Sequence, residues 1–229
     1  MHALDGANER VNGAREHLHT LKPLVTSFGQ EIANSVSLDY KMGSITMGGR
    51  RRRVPIGKTS SLIAPAPARV SRLIGEVVQN LRSALEYLIY ELACLDAKRI
   101  VEKTQFPVAD GEEDFKGLLE RYHLMVLTPE HVAAVKRLQP FDGCQWTKWL
   151  VTLSNPDKHQ RLTVVKSPVV VRVDPRITKE ILAGGHVDAQ SYATVTVTFG
   201  EGTPVIKGLE QLILKVAQTL RDFHPEFKG

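Results

Sequence analysis

Residues 69–97, RVSRLIGEVVQNLRSALEYLIYELACLDA, decide the fold of this 229-residue chain. Apolar side chains recur three or four positions apart along this stretch, and no proline interrupts it. They are Val70, Ile74, Val77, Leu81, Leu85, Leu88, Leu92 and Leu95. Such spacing is typical of the buried face of an α-helix. We therefore predict a long central helix that carries the main core.

Helical spacing of apolar residues recurs on both sides of this stretch. It predicts an N-terminal helix over residues 5–34, kinked or broken at Pro23, whose ring removes a backbone donor. The remaining predicted helices begin at Glu112, Thr128-Pro129, Trp146, Asn155-Pro156 and Leu209. Acidic residues, caps and first-turn prolines of these kinds favour helix starts.

Two regions alternate apolar and polar residues, which is typical of strands. The first contains Val36, Leu38 and Tyr40, and Gly43-Ser44 then offers a turn into Ile45-Thr46-Met47. Residues 48–67 are expected to add a strand and an exposed loop. The second region comprises 169–173 and 192–199, predicted to pair with one wet face. The order of the elements along the chain, which is helix, hairpin, helices, strands and a final helix, indicates an α+β fold in which helices dominate.

The length fits one domain with an elaboration, at about 100–200 residues per domain. We expect a mainly helical core over residues 1–165, with a β-hairpin and basic loop inserted near 35–67. Residues 166–229 are predicted to form a strand-strand-helix elaboration packed on that core. With 42% apolar and 24% charged residues, the composition excludes collagen-like, disordered and disulfide-rich classes.

Two cysteines, Cys94 and Cys144, are present, and they have no Cys-x-x-Cys spacing. His123 and His131 have no carboxylate or cysteine at ligand spacing, so we expect no metal and no cofactor. The first twenty residues lack a signal-like apolar stretch, and no run approaches the roughly 20 apolar residues of a membrane span. A cytoplasmic protein is therefore expected.

Positive charge is concentrated near the N-terminus. The chain has 30 Lys and Arg against 25 Asp and Glu, and residues 1–70 hold ten basic against five acidic residues. The centre of this surplus is the run Arg50, Arg51, Arg52 and Arg53, with Lys58 nearby. Such side chains could neutralise nucleic-acid phosphates. A solvated loop, or a basic edge strand that resists aggregation, is the alternative, because Tyr40 is the only nearby aromatic residue.

The long helix carries polar residues on both flanks of its apolar stripe. Asn80 lies in a polar row with Glu76, Ser83 and Tyr87, while Arg82 and Glu86 lie on the other flank at i, i+4. One interpretation makes Asn80 and Arg82 parts of a site. The other makes Arg82 and Glu86 a surface pair and the polar row the wet side of the helix.

A second cluster of reactive types lies at residues 155–161. Asp157, Lys158, His159 and Arg161 bring a carboxylate, an amine, an imidazole and a guanidinium together. RNA cleavage without a metal could use these groups, since histidine titrates near neutral pH and cations stabilise phosphate charge. The alternative is that Asp157 favours a helix N-terminus and the rest is a solvated turn.

Residues 74–88, IGEVVQNLRSALEYL, followed by 153–159, LSNPDKH, resemble a group of uncharacterised bacterial proteins. Those proteins carry a helix of the form NLRSALDHL and a later DKHR. Their Arg-x-x-x-x-His spacing is similar to the motif of the HEPN superfamily. These helical, usually dimeric proteins include metal-independent RNases of toxin, CRISPR and phage-defence systems. Arg82 matches the motif, but Tyr87 stands where it has histidine.

The resemblance implies a HEPN-like helical core that binds or cleaves RNA, in phage defence or a toxin–antitoxin pair, as a homodimer. In such a site Arg82 would stabilise the phosphate, His159 would act as acid or base, and Asp157 or Asn80 would orient it. Lys158 and Arg161 would add nucleic-acid contacts. The alternative is a non-catalytic dimeric interaction protein with a degenerate motif and a protein partner, which Tyr87 favours.

Overall fold

The computed structural model describes residues 3–35, 37–60, 66–158, 169–173, 176, 193–199 and 202–227. Its helices are α1 (Asp5–Asn34), α2 (Ala68–Ala97), α3 (Glu112–Arg121), α4 (Pro129–Lys136), α5 (Gln145–Lys158) and α6 (Val205–Phe223). Its strands are β1 (Ser37–Met47), β2 (Arg50–Ser60), β3 (Val169–Val173) and β4 (Ala193–Val197). Short 3₁₀ turns cover Pro140–Asp142 and His224–Phe227. The predicted α+β class with dominant helices is confirmed.

Helix α2 is the centre of the core, as predicted. Leu95, predicted to belong to its apolar stripe, is 42% exposed, but the other seven residues of the stripe are buried, with Leu81, Leu85, Leu88 and Leu92 fully buried. Each such side chain contributes about 1.5–3 kcal/mol when removed from water. Within the described residues, no helix has the length and apolar character needed to cross a membrane.

The chain forms two compact units. The first comprises residues 1–21, 68–164 and 206–229, and the second comprises 22–67 and 165–205. This grouping differs from the predicted division, which placed the last helix with the strands before it. Helix α6 belongs to the helical unit, and its apolar face, including Leu209, Val216 and Leu220, is buried. An amphipathic face packs where apolar area is available, whatever the chain order.

Helix α1 runs through Pro23 without a break, so the predicted break is wrong. A proline inside a helix removes one hydrogen bond, here the bond to the His19 carbonyl, and buried residues on both sides hold the helix together. These include Leu18, Leu21 and Phe28. The boundary between the two units lies between Leu21 and Lys22, one residue before this proline.

The predicted hairpin exists, but its turn lies elsewhere. Gly48 and Gly49 have φ of +57° and +77°, and Met47 pairs with Arg50 across them. Two successive positive φ angles define the tight hairpin turn that glycine permits. Gly43, predicted to turn, lies within β1 and pairs with Val54. Strand β2 continues to Ser60, so much of the predicted loop is strand. In the second sheet, β3 and β4 pair antiparallel as predicted.

Helix α5 corrects a second boundary. It continues through Asn155 and Pro156 to Lys158, where the sequence predicted a new helix start. Leu150 and Leu153 are buried and anchor the helix before the proline. Since a proline removes one bond, the final turn persists. Asp157 therefore lies in the last turn of α5, and the prediction that it favours a helix N-terminus is wrong.

An extended segment, residues 104–109, crosses the helical unit without a strand partner. Buried backbone groups need hydrogen bonds, and side chains supply them here. The Arg82 Nη2 donates to the Phe106 carbonyl at 2.7 Å, and the Phe106 N–H donates to Glu86 Oε2 at 2.5 Å. We call these two bonds the Phe106 clamp. Gln139 accepts from the Ala109 N–H at 3.0 Å and donates to the Pro107 carbonyl at 3.1 Å.

Candidate nucleic-acid interface

The hairpin of β1 and β2, residues 37–60, carries the arginine run, and we call it the hairpin arm. Arg50, Arg51, Arg52 and Arg53 all lie in β2, directly after the turn, and all four side chains are exposed. Side chains alternate between the faces of a strand. Arg50 and Arg52 therefore share one face of the arm, while Arg51 and Arg53 share the other. The tip of the arm is basic on both faces.

No acidic residue neutralises this run in the described part of the chain. The cross-strand partners of Arg50 to Arg53 are Met47, Thr46, Ile45 and Ser44, none of which is charged. No ion pair or hydrogen bond of the four guanidinium groups is found among the described residues. The whole arm holds six basic residues and a single acid, Asp39. Unpaired like charges on one element create a local positive potential.

Lys58, also predicted to contact nucleic acid, occupies a different position on the arm. It lies near the base of β2, and its register partner is Asp39. The structure thus separates Lys58 from the arginine run, at the end of the arm opposite the turn.

Arg82 is placed differently from the predicted surface pair. Its side chain is 7% exposed, and its Nε lies 2.7 Å from Glu86 Oε1. The pair forms, but it is buried on the arginine side and belongs to the Phe106 clamp. The guanidinium also lies over the Phe106 ring at 6.0 Å, and its Nη1 has no hydrogen-bond partner. These contacts give Arg82 a structural role in holding residues 104–109.

The polar row of α2 lies beside helix α1 and is partly exposed to solvent, with Tyr87 38% exposed. A Cβ on Gly6 would lie 3.0 Å from the Tyr87 ring, and one on Gly13 would lie 3.4 Å from Asn80 Oδ1. From Gly6 to Gly13 the contact moves seven residues forward along α1, and from Tyr87 to Asn80 it moves seven residues back along α2. The two helices are therefore antiparallel. Asn80 donates to the Glu76 carbonyl at 3.0 Å. It is therefore part of a helix-helix contact that small residues of α1 make close.

The predicted cluster around His159 lies mostly outside the described residues. The backbone of Asp157 and Lys158 ends α5, whereas His159 and Arg161 are not described. The association of this cluster with Arg82 therefore lies outside what the structure describes. Their association, and the catalytic roles given to them, stay predictions.

One cluster that spacing in the sequence did not predict consists of His131 and the carboxylates of Asp96 and Glu226, near the end of α2. His131 Nδ1 lies 2.7 Å from Asp96 Oδ2, and His131 Nε2 lies 3.5 Å from Glu226 Oε2. The same Asp96 oxygen accepts from the Thr128 N–H at 2.7 Å. Carboxylates therefore do lie near His131, because the fold brings together residues distant in sequence. The sequence feature that bears on this cluster is the helix start Thr128-Pro129-Glu130, which places His131 in the first turn of α4.

We predict that replacing His131 with alanine lowers the free energy of unfolding by about 1–2 kcal/mol, since a buried hydrogen bond to Asp96 is lost. Urea unfolding followed by circular dichroism measures this change. His123→Ala is the matched control, because His123 is exposed. A His131→Ala loss no larger than that of the control would contradict the structural role of the cluster.

Three groups of the helical unit have pKa values raised above their ordinary values. Burial raises the pKa of the Cys144 thiol. The hydrogen bond with Cys94 is the main cause that raises the pKa of Tyr90, and burial raises the pKa of Glu91. A raised thiol pKa disfavours the thiolate, the nucleophilic form. The raised pKa therefore does not favour Cys144 as a nucleophile.

A cleft of about 660 Å³ lies where α2 and α3 end. Its lining includes Arg99, Lys103, Glu102, Glu120 and His123. Charges of both signs line it, so it offers a polyanion less attraction than the hairpin arm does. We therefore place the candidate nucleic-acid interface on the arm.

Among the described residues, no group of three His, Cys, Asp or Glu side chains is arranged to hold a metal ion. No protein-family model, curated protein or solved structure matches this chain. The exposed, unpaired arginines of the hairpin arm are thus the feature from which a function can be argued.

Proposed function

We propose that this protein binds nucleic acid through the phosphate backbone, using Arg50 to Arg53 of the hairpin arm. The observation that supports this proposal is their exposure without an acidic partner, beside uncharged cross-strand neighbours. Arginine presents a planar fork of donors that matches phosphate oxygens. RNA is the ligand class that the sequence resemblance predicts.

Binding of this kind is largely electrostatic. Each neutralised phosphate releases counterions, and the logarithm of the binding constant falls with the logarithm of salt concentration by about 0.7–0.9 per contact. Four arginines that each contact one phosphate would give a slope of about −3 to −4. Contacts to phosphates carry no direct sequence information, so we expect little sequence preference.

Cleavage is not included in this proposal. In the HEPN resemblance the motif arginine acts on the scissile phosphate, but here Arg82 is buried against Phe106 and Glu86. Tyr87, at the motif histidine position, packs against Gly6 and lies under the Arg10 guanidinium at 5.7 Å. Both motif positions therefore take part in packing, which favours a binding role over a catalytic one.

The test is fluorescence anisotropy with labelled tRNA and a labelled DNA duplex of about 30 base pairs, from 50 to 400 mM KCl with EDTA. We expect salt-dependent binding of at least one probe and intact RNA after incubation. A variant with Arg50, Arg51, Arg52 and Arg53 all changed to glutamine should bind about 100-fold more weakly at low salt, with a slope reduced by about 3.

The control variant changes four exposed arginines outside the arm, Arg15, Arg72, Arg121 and Arg137, to glutamine. It has the same net charge as the arm variant. We expect the control to retain most of the affinity and the salt slope. Equal losses in the two variants, no binding of either probe, or cleavage of the tRNA would contradict the proposed function.

A further inference from the structure

The arginines of the hairpin arm are divided between its two faces, and this division bears on the shape of the ligand. Arg50 and Arg52 lie on one face about 7 Å apart, as the strand rise of about 3.4 Å per residue requires. Arg51 and Arg53 lie on the opposite face. One phosphate backbone running along the arm could contact one pair directly. Two backbones, one beside each face, could contact both pairs.

The dimensions of the arm match the space between two backbones. A β-sheet with its side chains occupies a layer about 10 Å thick. The major groove of B-form DNA is about 12 Å wide and admits a two-stranded β-ribbon, whereas its minor groove is about 6 Å wide. The major groove of an A-form RNA helix is deep and narrow. Among these grooves, the B-form major groove is wide enough for the arm.

The tip of the arm has little bulk. Gly48 and Gly49 form the turn, and no atom lies within 4 Å of the position where either would carry a Cβ. Arg50 to Arg53 occupy the first four residues after it, within about 14 Å of the tip at the strand rise. The major groove is about 8.5 Å deep. An arm entering tip first would therefore bring its arginines to the phosphates at the groove edges.

Features of a single-strand site are missing from this tip. Proteins that bind single strands stack successive bases on aromatic side chains. The arm has one aromatic residue, Tyr40, which pairs with Gly57 in the half of the arm away from the turn. No aromatic residue lies among the arginines or their cross-strand partners. The tip thus presents charge on two faces without a stacking surface.

We infer that the preferred ligand of the hairpin arm is a B-form double helix, with the arm in the major groove and one arginine pair directed to each backbone. This inference rests on the proposed function and specifies its ligand. It specifies a DNA duplex, whereas the sequence resemblance predicts RNA.

Three probes of one mixed sequence test it: a DNA duplex of 30 base pairs, the matching RNA duplex and the single DNA strand. Anisotropy titrations at 100 mM KCl should show the DNA duplex binding at least 10-fold more tightly than either other probe. Single-strand or RNA-duplex binding that equals or exceeds DNA-duplex binding would overturn the inference but leave the proposed function intact. Failure of all three probes to bind would overturn both.

Two double variants test the arrangement on two faces. Arg50→Gln with Arg52→Gln removes one face, and Arg51→Gln with Arg53→Gln removes the other. For the DNA duplex we expect each to reduce the salt slope by about 1.8, since two contacts are lost in each case. A reduction confined to one double variant would show that a single backbone is bound, and would overturn the groove model. All four side chains are exposed, so the fold should tolerate both changes.

Discussion

Replacing Arg82 with alanine will lower the free energy of unfolding by about 3–4 kcal/mol, since the buried Phe106 carbonyl loses a charged donor and the largely buried arginine side chain loses its packing. The substitution leaves Glu86 without its partner at 2.7 Å and the Phe106 carbonyl without its donor. It also removes the side chain that lies over the Phe106 ring. Residues 104–109 have no strand partner that could replace these contacts. The helical unit should therefore unfold at a lower urea concentration.

Urea unfolding at pH 7, followed by circular dichroism, measures this change. Arg72→Ala is the matched control, because Arg72 also pairs at i, i+4 on α2, but at 3.7 Å and on an exposed surface. Such pairs contribute about 0.3–0.5 kcal/mol. A loss below about 1 kcal/mol for Arg82→Ala would contradict the Phe106 clamp. Glu86→Gln keeps an acceptor for the Phe106 N–H and should be less damaging than Glu86→Ala.

Gln139→Ala should have the second largest effect and lower the free energy of unfolding by about 3 kcal/mol. Gln139 is fully buried, and its amide bonds to three backbone groups, the Ala109 N–H and the carbonyls of Pro107 and Val135. A buried group left without a partner costs about 1–3 kcal/mol, and water entering the space would recover part of this.

The same urea experiment measures the effect of Gln139→Ala. Gln211→Ala is the control, since Gln211 is exposed on α6 and its truncation should change stability by less than about 0.5 kcal/mol. Equal stability of the two variants would show that Gln139 does not hold residues 107–109. A double variant with Arg82→Ala should be non-additive, because both side chains fix the same extended segment.

Sequence periodicity predicted the helices well because each buries an apolar face of its own. The bounds of α1 and α2 follow from apolar spacing alone. The errors occurred where two local signals competed. Gly43-Ser44 looked like a turn, but the Gly48-Gly49 pair can adopt two successive positive φ angles and sets the register. Pro23 and Pro156 looked like helix ends, but the surrounding helices tolerate them.

The contacts of Arg82 and His131 could not be predicted in the same way. Their partners, Phe106 for the first and Asp96 and Glu226 for the second, are brought close only by folding. Spacing within α2 correctly predicted the Arg82–Glu86 pair but not its burial. The catalytic role of Arg82 and the homodimer came from the resemblance alone and stay predictions.

For the hairpin arm, the sequence identified the charge but not its arrangement. A run of four arginines is equally compatible with a loop and with a strand. Only the position of the turn places Arg50 to Arg53 in β2 and so divides them between two faces. The functional difference between a single basic patch and a two-faced tip therefore depended on the correct position of two glycines.

The Phe106 clamp also affects how relatives of this chain should vary. Arg82 and Glu86 hold the carbonyl and the N–H of one residue, so loss of either removes both an ion pair within α2 and one bond to Phe106. We expect the two positions to change together during evolution. An arginine at position 82 would then be retained for folding alone, so its presence in a sequence is not by itself evidence of nuclease activity.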